Sequence, residues 1–330
     1  MGTLLTGATG FVGSHLAEAL VARGGRVWAL VRESSEVGPL RRLGIETVSG
    51  SLREEASLRR AVAGAHTVFH LAAATRALDP STFHAINAEG TAHLVAAMEA
   101  VGGDQRLVYL SSMAAVGPSR GDPVRPDDAP HPLTAYGRSK LAGEAAVRRS
   151  GLGAAILRAP AVYGPGDRDL LPFFRLASRG VLPVAGPAGR RVQMVHVADL
   201  VAGLLAAGDG AAAGTYHVAE PEDYAWRDVL GLLAEAVGRT GVFVPVPGPV
   251  VKLMAAVSEG VARVTRRPVI FDRDKAKEML AEWLCDTASA RRELEFEAAV
   301  PLAEGLQETA DWYRATGWLG VAEAIRSGGS

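Results

Sequence analysis

Thr6-Gly7-Ala8-Thr9-Gly10-Phe11-Val12-Gly13 stands between an apolar run of strand length, residues 4–6, and a helical pattern over residues 12–23. The three glycines have distinct uses there. Gly7 permits a tight turn, Gly10 lets backbone approach a phosphate, and Gly13 lets the helix pack on the strand. The helix start then offers unpaired N–H groups and a positive dipole end to a pyrophosphate. The stretch therefore predicts a strand–turn–helix unit that binds a dinucleotide, with Thr9, Phe11 and Val12 as cofactor contacts beside the glycines.

Working outward, apolar runs at residues 26–31, 46–48, 67–71, 106–110 and 154–157 alternate with helical patterns at 54–62, 80–101 and around Tyr136. Strand-then-helix repetition requires a parallel sheet covered on both faces, and right-handed crossovers make it doubly wound. The fold class is α/β: a Rossmann-type doubly wound parallel sheet with a smaller, mostly helical C-terminal substrate lobe. The expected division is a dinucleotide-binding domain over 1–165 and a substrate lobe over 166–330. Segments at about 190–220, with strand candidates at 190–195 and 215–218, are placed to return to the first domain. The second strand ends in Val31-Arg32. Valine cannot hold a ribose diol, whereas Arg32 can meet a 2′-phosphate with charge-assisted hydrogen bonds, which favours NADP over NAD.

At 330 residues and 48% hydrophobic content the chain can bury a full core. A net charge of −1 gives no electrostatic case for nucleic acid or an anionic membrane. The single cysteine, Cys285, excludes an internal disulfide, reads as a structural thiol and fits a reducing cytoplasm. No secretory signal pattern precedes the first strand. Residues 249–264 are apolar but interrupted by Lys252, Glu259 and Arg263, too short to span a bilayer. A packed amphipathic helix is preferred there over a peripheral membrane contact. No His, Cys, Asp or Glu spacing suggests a metal. A small-molecule substrate is the expected partner.

Tyr136 and Lys140 are four residues apart, so on a helix they project side by side. An ammonium beside a phenol lowers the phenol's pKa and makes Tyr136 an acid or base near neutral pH. Other polar residues take plainer roles: Glu144 a helix-face ion pair, His70 a satisfied sheet histidine, His131 a solvated loop residue, His196 and Asp199 a turn and helix start, Arg190-Arg191 a surface pair. The loop 117–133 carries five prolines directly before Tyr136, where it could wall a pocket.

Together these motifs resemble the extended short-chain dehydrogenase/reductases, of the NAD-dependent epimerase/dehydratase-like group, from Thr6 to about Trp318. The glycine spacing is that group's, and Tyr136-Gly-Arg-Ser-Lys140 matches its Tyr-x-x-x-Lys signature. Val68-Phe-His-Leu71-Ala72-Ala73 resembles the segment lining the adenosine side of the cofactor. Asn87-Ala-Glu-Gly-Thr91 resembles the helix that supports active-site geometry, and Leu110-Ser-Ser112 the catalytic serine strand end. Leu157-Arg-Ala-Pro160-Ala161-Val162-Tyr163 resembles the segment closing over the nicotinamide. Ser51-Leu52 replaces the family's usual acidic residue near the adenine, and Ala161 replaces the asparagine typical of nucleotide-sugar epimerases.

The resemblance implies hydride transfer at a carbonyl or carbinol carbon. Tyr136 would move the proton, Ser112 would bond the same oxygen, and Lys140 would hold the ribose. Apolar Met113, Ala114, Ala161 and Met194, with Tyr163 and Phe173, suggest a hydrophobic substrate, nearest the dihydroflavonol-reductase and 3β-hydroxysteroid-dehydrogenase-like branch. The alternatives are a nucleotide-sugar epimerase or dehydratase with tightly held NAD, and a non-catalytic dinucleotide sensor, which has no need of Tyr136 and Lys140. A homodimer through residues 81–101 and 134–149 is also implied.

Overall fold

The computed structural model describes residues 2–187, 189–265, 269 and 271–319. The Arg263 side chain and residues 320–330 of the expected second lobe lie outside the described residues. Seven parallel strands form the main sheet: β1 (Gly2–Thr6), β2 (Arg26–Val31), β3 (Glu46–Ser49), β4 (Thr67–His70), β5 (Arg106–Ser112), β6 (Gly153–Ala159) and β7 (Gly214–His217). Their order is β7-β6-β5-β4-β1-β2-β3, so the chain reverses direction across the sheet between β1 and β4. Leu4, Leu5, Val68, Leu107, Val108 and Leu157 are completely enclosed, as central strands covered on both faces must be.

Helix α1 (Phe11–Ala22) buries Gly13, Leu16, Ala17 and Leu20, one stripe at helical spacing, beside the helix Val197–Asp209 on the same sheet face. Leu16 is fully enclosed and contributes about 2 kcal/mol of apolar burial. The opposite face is covered by Glu55–Val62, Gly90–Val101 and Ala135–Arg149, which supply Leu58, Leu94, Met98 and Val147. A second core lies in the C-terminal lobe, where Trp226–Ala236 and Leu302–Ala315 pack around Phe174, Leu230, Leu306 and Tyr313.

Three segments differ from the sequence reading. The helix expected over 80–101 is interrupted: Pro80–Phe83 and Gly90–Val101 flank a π-helical turn, His84–Glu89. The wider turn carries Asn87, whose side chain is tied to the Ala74 backbone. The strand expected over 190–195 is two short strands, Arg191–Val192 and Met194–His196, in separate small sheets. Gln193 divides them: its N–H donates to the Trp283 carbonyl (2.8 Å) and its Oε1 accepts from the Cys285 N–H (2.6 Å). The lobe also holds an unexpected parallel pair, Val181–Ala185 with Val242–Val246. Pro183 and Pro245 obscured it, yet both are tolerated because each strand has a neighbour on one side only.

Candidate active site

Parallel strands deliver their carboxyl ends to one edge, and the loops there meet at the point where strand order reverses. Register aligns Thr6 with both Leu30 and His70, His70 with Tyr109, and Ser112 with Ala159. The glycine turn, residues 71–74, Ser112 and Pro160 therefore emerge side by side.

Gly7 has φ +78°, and a Cβ there would lie 2.6 Å from the Ala72 nitrogen. At Gly13 a Cβ would lie 2.0 Å from the Gly7 carbonyl oxygen. Glycine is needed at both positions. Gly10 precedes α1 with no side chain capping the helix and no acidic residue in its first turn. The uncapped helix start and the glycine turn thus have the polarity and open backbone a pyrophosphate needs, and a dinucleotide fits the residues present. Leu71 N–H donates to the Thr6 carbonyl (3.1 Å) and Ala72 N–H to the Thr6 hydroxyl (3.2 Å), fastening the loop after β4 to β1. Arg32 is exposed beyond β2, with no side-chain hydrogen bond or ion pair among the described residues. Ser51 receives the Arg53 N–H (3.3 Å), while Leu52 is mostly buried and its carbonyl contacts the His93 ring (2.9 Å).

Tyr136 and Lys140 stand on the helix Ala135–Arg149, capped by Thr134, whose hydroxyl accepts from the Gly137 N–H (3.0 Å). Two carboxylates from the C-terminal lobe secure that cap. Asp274 accepts from the Ala135 N–H (3.0 Å) and Glu278 from the Thr134 hydroxyl (3.1 Å). Half-buried Tyr136 packs edge-on against Phe83. Its pKa lies above the ordinary tyrosine range. Burial is the main cause and Glu278 adds to it, while the Ser112 hydroxyl opposes both. This reverses the expected lowering by Lys140. The Lys140 ammonium is turned to the Leu110 carbonyl (2.6 Å) and the Tyr109 ring (4.2 Å). Burial also brings the Lys140 pKa down to about 7, with Glu144 opposing. Ser112 points its hydroxyl at the Ala114 N–H (3.1 Å), capping the turn Met113–Val116.

Asn87, expected among the catalytic residues, is held by three hydrogen bonds. Its Oδ1 accepts from the Ala74 N–H (2.7 Å), and its Nδ2 donates to the Ala74 carbonyl (2.9 Å) and the Ser139 hydroxyl (3.0 Å). It joins the loop after β4 to the Tyr136 helix. His70 is enclosed between the Thr6 and Thr91 hydroxyls (2.7 and 2.9 Å), and burial lowers its pKa to about 3, so it is the satisfied sheet histidine expected. Glu144 is wholly buried and pairs with Arg158 through both oxygens (2.9 and 2.8 Å) and with Arg148 (2.7 Å). It also accepts from Ser111 (2.6 Å). Burial alone would raise its pKa, but these partners hold it below the carboxylate range.

Several expected contacts belong elsewhere. Tyr163 and Met194 are buried in the second core, beneath the site instead of on its surface, because the strand Ala161–Tyr163 pairs with Met194–His196. Met113 and Ala114 are also buried, Met113 in a small cluster with Val124 and Cys285. Phe173 stacks edge-on against Trp226. Ala161 is exposed and Val162 half-buried. Cys285 is enclosed, its thiol pushed up to about 12 by burial. Arg190 is buried, donating to the Ala281 carbonyl (3.1 Å) and lying over Trp226, while Arg191 pairs with Asp223. The surface reading thus fails for Arg190, whose stem the second lobe covers. The loop 117–133 is clamped to the later chain by the Ser119 N–H on the Glu282 carbonyl and the Val124 N–H on the Leu284 carbonyl (both 3.0 Å). His131 is held within that loop by the Pro118 carbonyl (3.0 Å). Asp199 does more than start a helix, accepting the N–H groups of Ala299 and Val300 (3.1 and 2.9 Å). The sequence reading missed Asp274, Glu278 and an Arg76–Asp169 ion pair linking the loop after β4 to the segment after Tyr163. No local pattern could have found them, since each pair joins residues distant in sequence.

Comparison with known proteins identifies the family and the fold. A ceramide reductase of Caulobacter vibrioides is 34% identical, spanning 96% of this chain and 95% of that protein. A 2-alkyl-3-oxoalkanoate reductase of Stenotrophomonas maltophilia is 29% identical over 93% and 98%. The UDP-glucose 4-epimerase of Thermus thermophilus, solved with NAD, has the same fold, with a TM-score of 0.76 and 24% identity over 95% of this chain and 99% of that one. Residues 3–219 match the family described as NAD dependent epimerase/dehydratase, and the chain belongs to that family.

Proposed function

We propose that the protein is an NADP-linked reductase of an apolar, lipid-like ketone, with Tyr136 as the proton donor. The observation that carries this reading is the placement of Tyr136, Lys140 and Ser112 at the strand edge that also holds the glycine cradle. Bound nicotinamide supplies the hydride; the chain supplies the rest. Tyr136, its phenol kept protonated by burial, gives its proton to the carbonyl oxygen as that oxygen gains charge. Ser112 donates a hydrogen bond to the same oxygen. Lys140 turns from the Leu110 carbonyl to the ribose and stabilises the phenolate left behind. Arg32, exposed and without a side-chain partner among the described residues, favours a 2′-phosphate.

The apolar substrate is supported by two relatives whose names specify ceramide and an alkyl oxoalkanoate. A nucleotide-sugar reaction has less support, because the arginines suited to a diphosphate are already engaged: Arg190 with the Ala281 carbonyl, Arg191 with Asp223 and Arg273 with Glu259. The test is turnover of long-chain ketones with NADPH and NADH. Tyr136→Phe should reduce kcat by about 10²–10⁴ with an unchanged melting curve. Wild-type turnover in that variant, or preference for NADH, would refute the corresponding role.

A further inference from the structure

The start of the Tyr136 helix is held from two sides. On the Ser112 side, Gly137 lies so close to the turn Met113–Val116 that a Cβ there would stand 2.2 Å from the Ala114 carbonyl oxygen. On the other side is the lobe helix Arg273–Leu280, itself capped by Asp272 and backed by the helix Gly248–Thr265. Its Asp274 and Glu278 reach the first turn from 139 and 144 residues away in sequence. Asp274 meets a need that helix geometry creates, since the Ala135 N–H has no partner within its own helix. Glu278 differs. It accepts from the Thr134 hydroxyl, a neutral donor that an uncharged amide oxygen would satisfy equally well. The cap needs its oxygen and has no need of its charge.

That charge stands where water is scarce. The Glu278 side chain is 19% accessible, and burial pushes its carboxyl above the ordinary range. Lys275, its ammonium 3.6 Å away, and the Thr134 hydroxyl oppose this, while Asp274 reinforces it. The Tyr136 phenol feels the charge. After burial itself, Glu278 does most to raise the phenol; Ser112 opposes it, and Asp169, paired with Arg76, adds less. Other charged groups on and around this helix are engaged elsewhere. Lys140 meets the Leu110 carbonyl and the Tyr109 ring, Glu144 meets Arg158, and Asp274 faces Lys277 (2.7 Å) and Arg138. His84 faces Glu89 (3.8 Å), and on the backing helix Glu259 faces Arg273 (3.4 Å). A negative charge beside a phenol disfavours the phenolate.

We propose that Glu278 is a positioning residue for proton transfer: it anchors the start of the Tyr136 helix through Thr134, and its charge keeps the proton on the phenol until a carbonyl oxygen takes it. The inference rests on Tyr136 as the proton donor. The C-terminal lobe thereby acts on the acid that the sheet carries.

The test is oxidation of a long-chain methyl carbinol with NADP and with NAD. That direction needs the phenolate, so kcat rises with pH as the phenol titrates. Glu278→Gln keeps the oxygen that Thr134 bonds and removes the charge. Its half-maximal pH should lie about one pH unit below that of wild type. Its melting temperature should be no lower, because the charge it removes is the form that burial disfavours. Glu278→Ala should show the same displacement and melt about 2 °C lower, having lost the anchor as well. A residue serving the cap alone would move the melting temperature and leave the profile in place. The proposal is overturned if the glutamine profile superimposes on wild type or moves to higher pH, or if the alanine variant melts as wild type does. Tyr136→Phe separates the two readings. Full turnover in that variant, or a wild type that neither oxidises such carbinols nor reduces long-chain ketones, refutes the Tyr136 reading and the proposal with it. Loss of turnover in Tyr136→Phe beside an unmoved glutamine profile refutes the role of Glu278 alone.

Discussion

Replacing Glu144 by glutamine keeps the shape of the side chain and removes its charge. Glu144 is fully buried and Arg158 is 2% exposed, so the guanidinium would lose its counter-charge where water cannot replace it. The Pro126 carbonyl at 3.1 Å and the His217 ring at 3.5 Å would remain, and neither is ionic. Arg148, on the surface, can turn to solvent. Breaking a buried pair from one side costs about 3–5 kcal/mol. For a chain of this length that is a fall in melting temperature of roughly 6 °C, readable by calorimetry. Glu144→Leu combined with Arg158→Met should recover most of the loss, because no charge is then left unpaired. A second effect reaches the site: Glu144 is the charge that opposes the depression of the Lys140 pKa, so the variant's pH profile for cofactor binding should move to lower pH. A melting loss below about 1 kcal/mol, or a double variant no better than the single, would refute the reasoning.

Gly7→Ala forces a residue into φ +78°, costing about 1–2 kcal/mol, and drives its methyl into the Leu71–Ala72 backbone. NADPH affinity measured by fluorescence should fall by at least about tenfold. Asn87→Ala leaves the Ala74 N–H without its partner and should cost about 1–3 kcal/mol in chemical denaturation, with a raised KM for cofactor. Acid lability should begin just below pH 6.5. His70, at about 3 when folded and 6.5 ordinarily, takes up its proton more readily in the unfolded chain. Stability is thus full above pH 6.5 and lost as pH falls towards 3. His217, lowered to about 4, has the same sign, whereas Asp167, raised to about 6, opposes between pH 6 and 3.8. His70→Asn should flatten the dependence of melting temperature on pH.

The helix Gly248–Thr265 shows how far periodicity reads. Like every other described helix, it is not long and apolar enough to cross a membrane. Spacing predicted a packed amphipathic helix, and Val251 and Ala255 do pack into the lobe, yet Val250, Leu253, Met254, Val257, Val261 and Val264 are exposed. Two apolar faces give the same composition as one broad packed face, and only the neighbours distinguish them. Tyr163 and Met194 show the same limit. Tyr163 ends the closing segment and Met194 lies well beyond it in sequence, yet the pairing of their two strands carries both beneath the site. Glycine spacing and the apolar runs determined the strands, the glycine turn and the side-by-side placement of Tyr136 and Lys140 on one helix, because each depends on residues within a turn or two of one another. The tertiary structure alone decided the protonation of Tyr136, the partner of Lys140 and the carboxylates that secure the Tyr136 helix. Burial and the field of Glu278 at the Tyr136 phenol arise from chain segments about 140 residues apart, and local pattern carries no record of that distance.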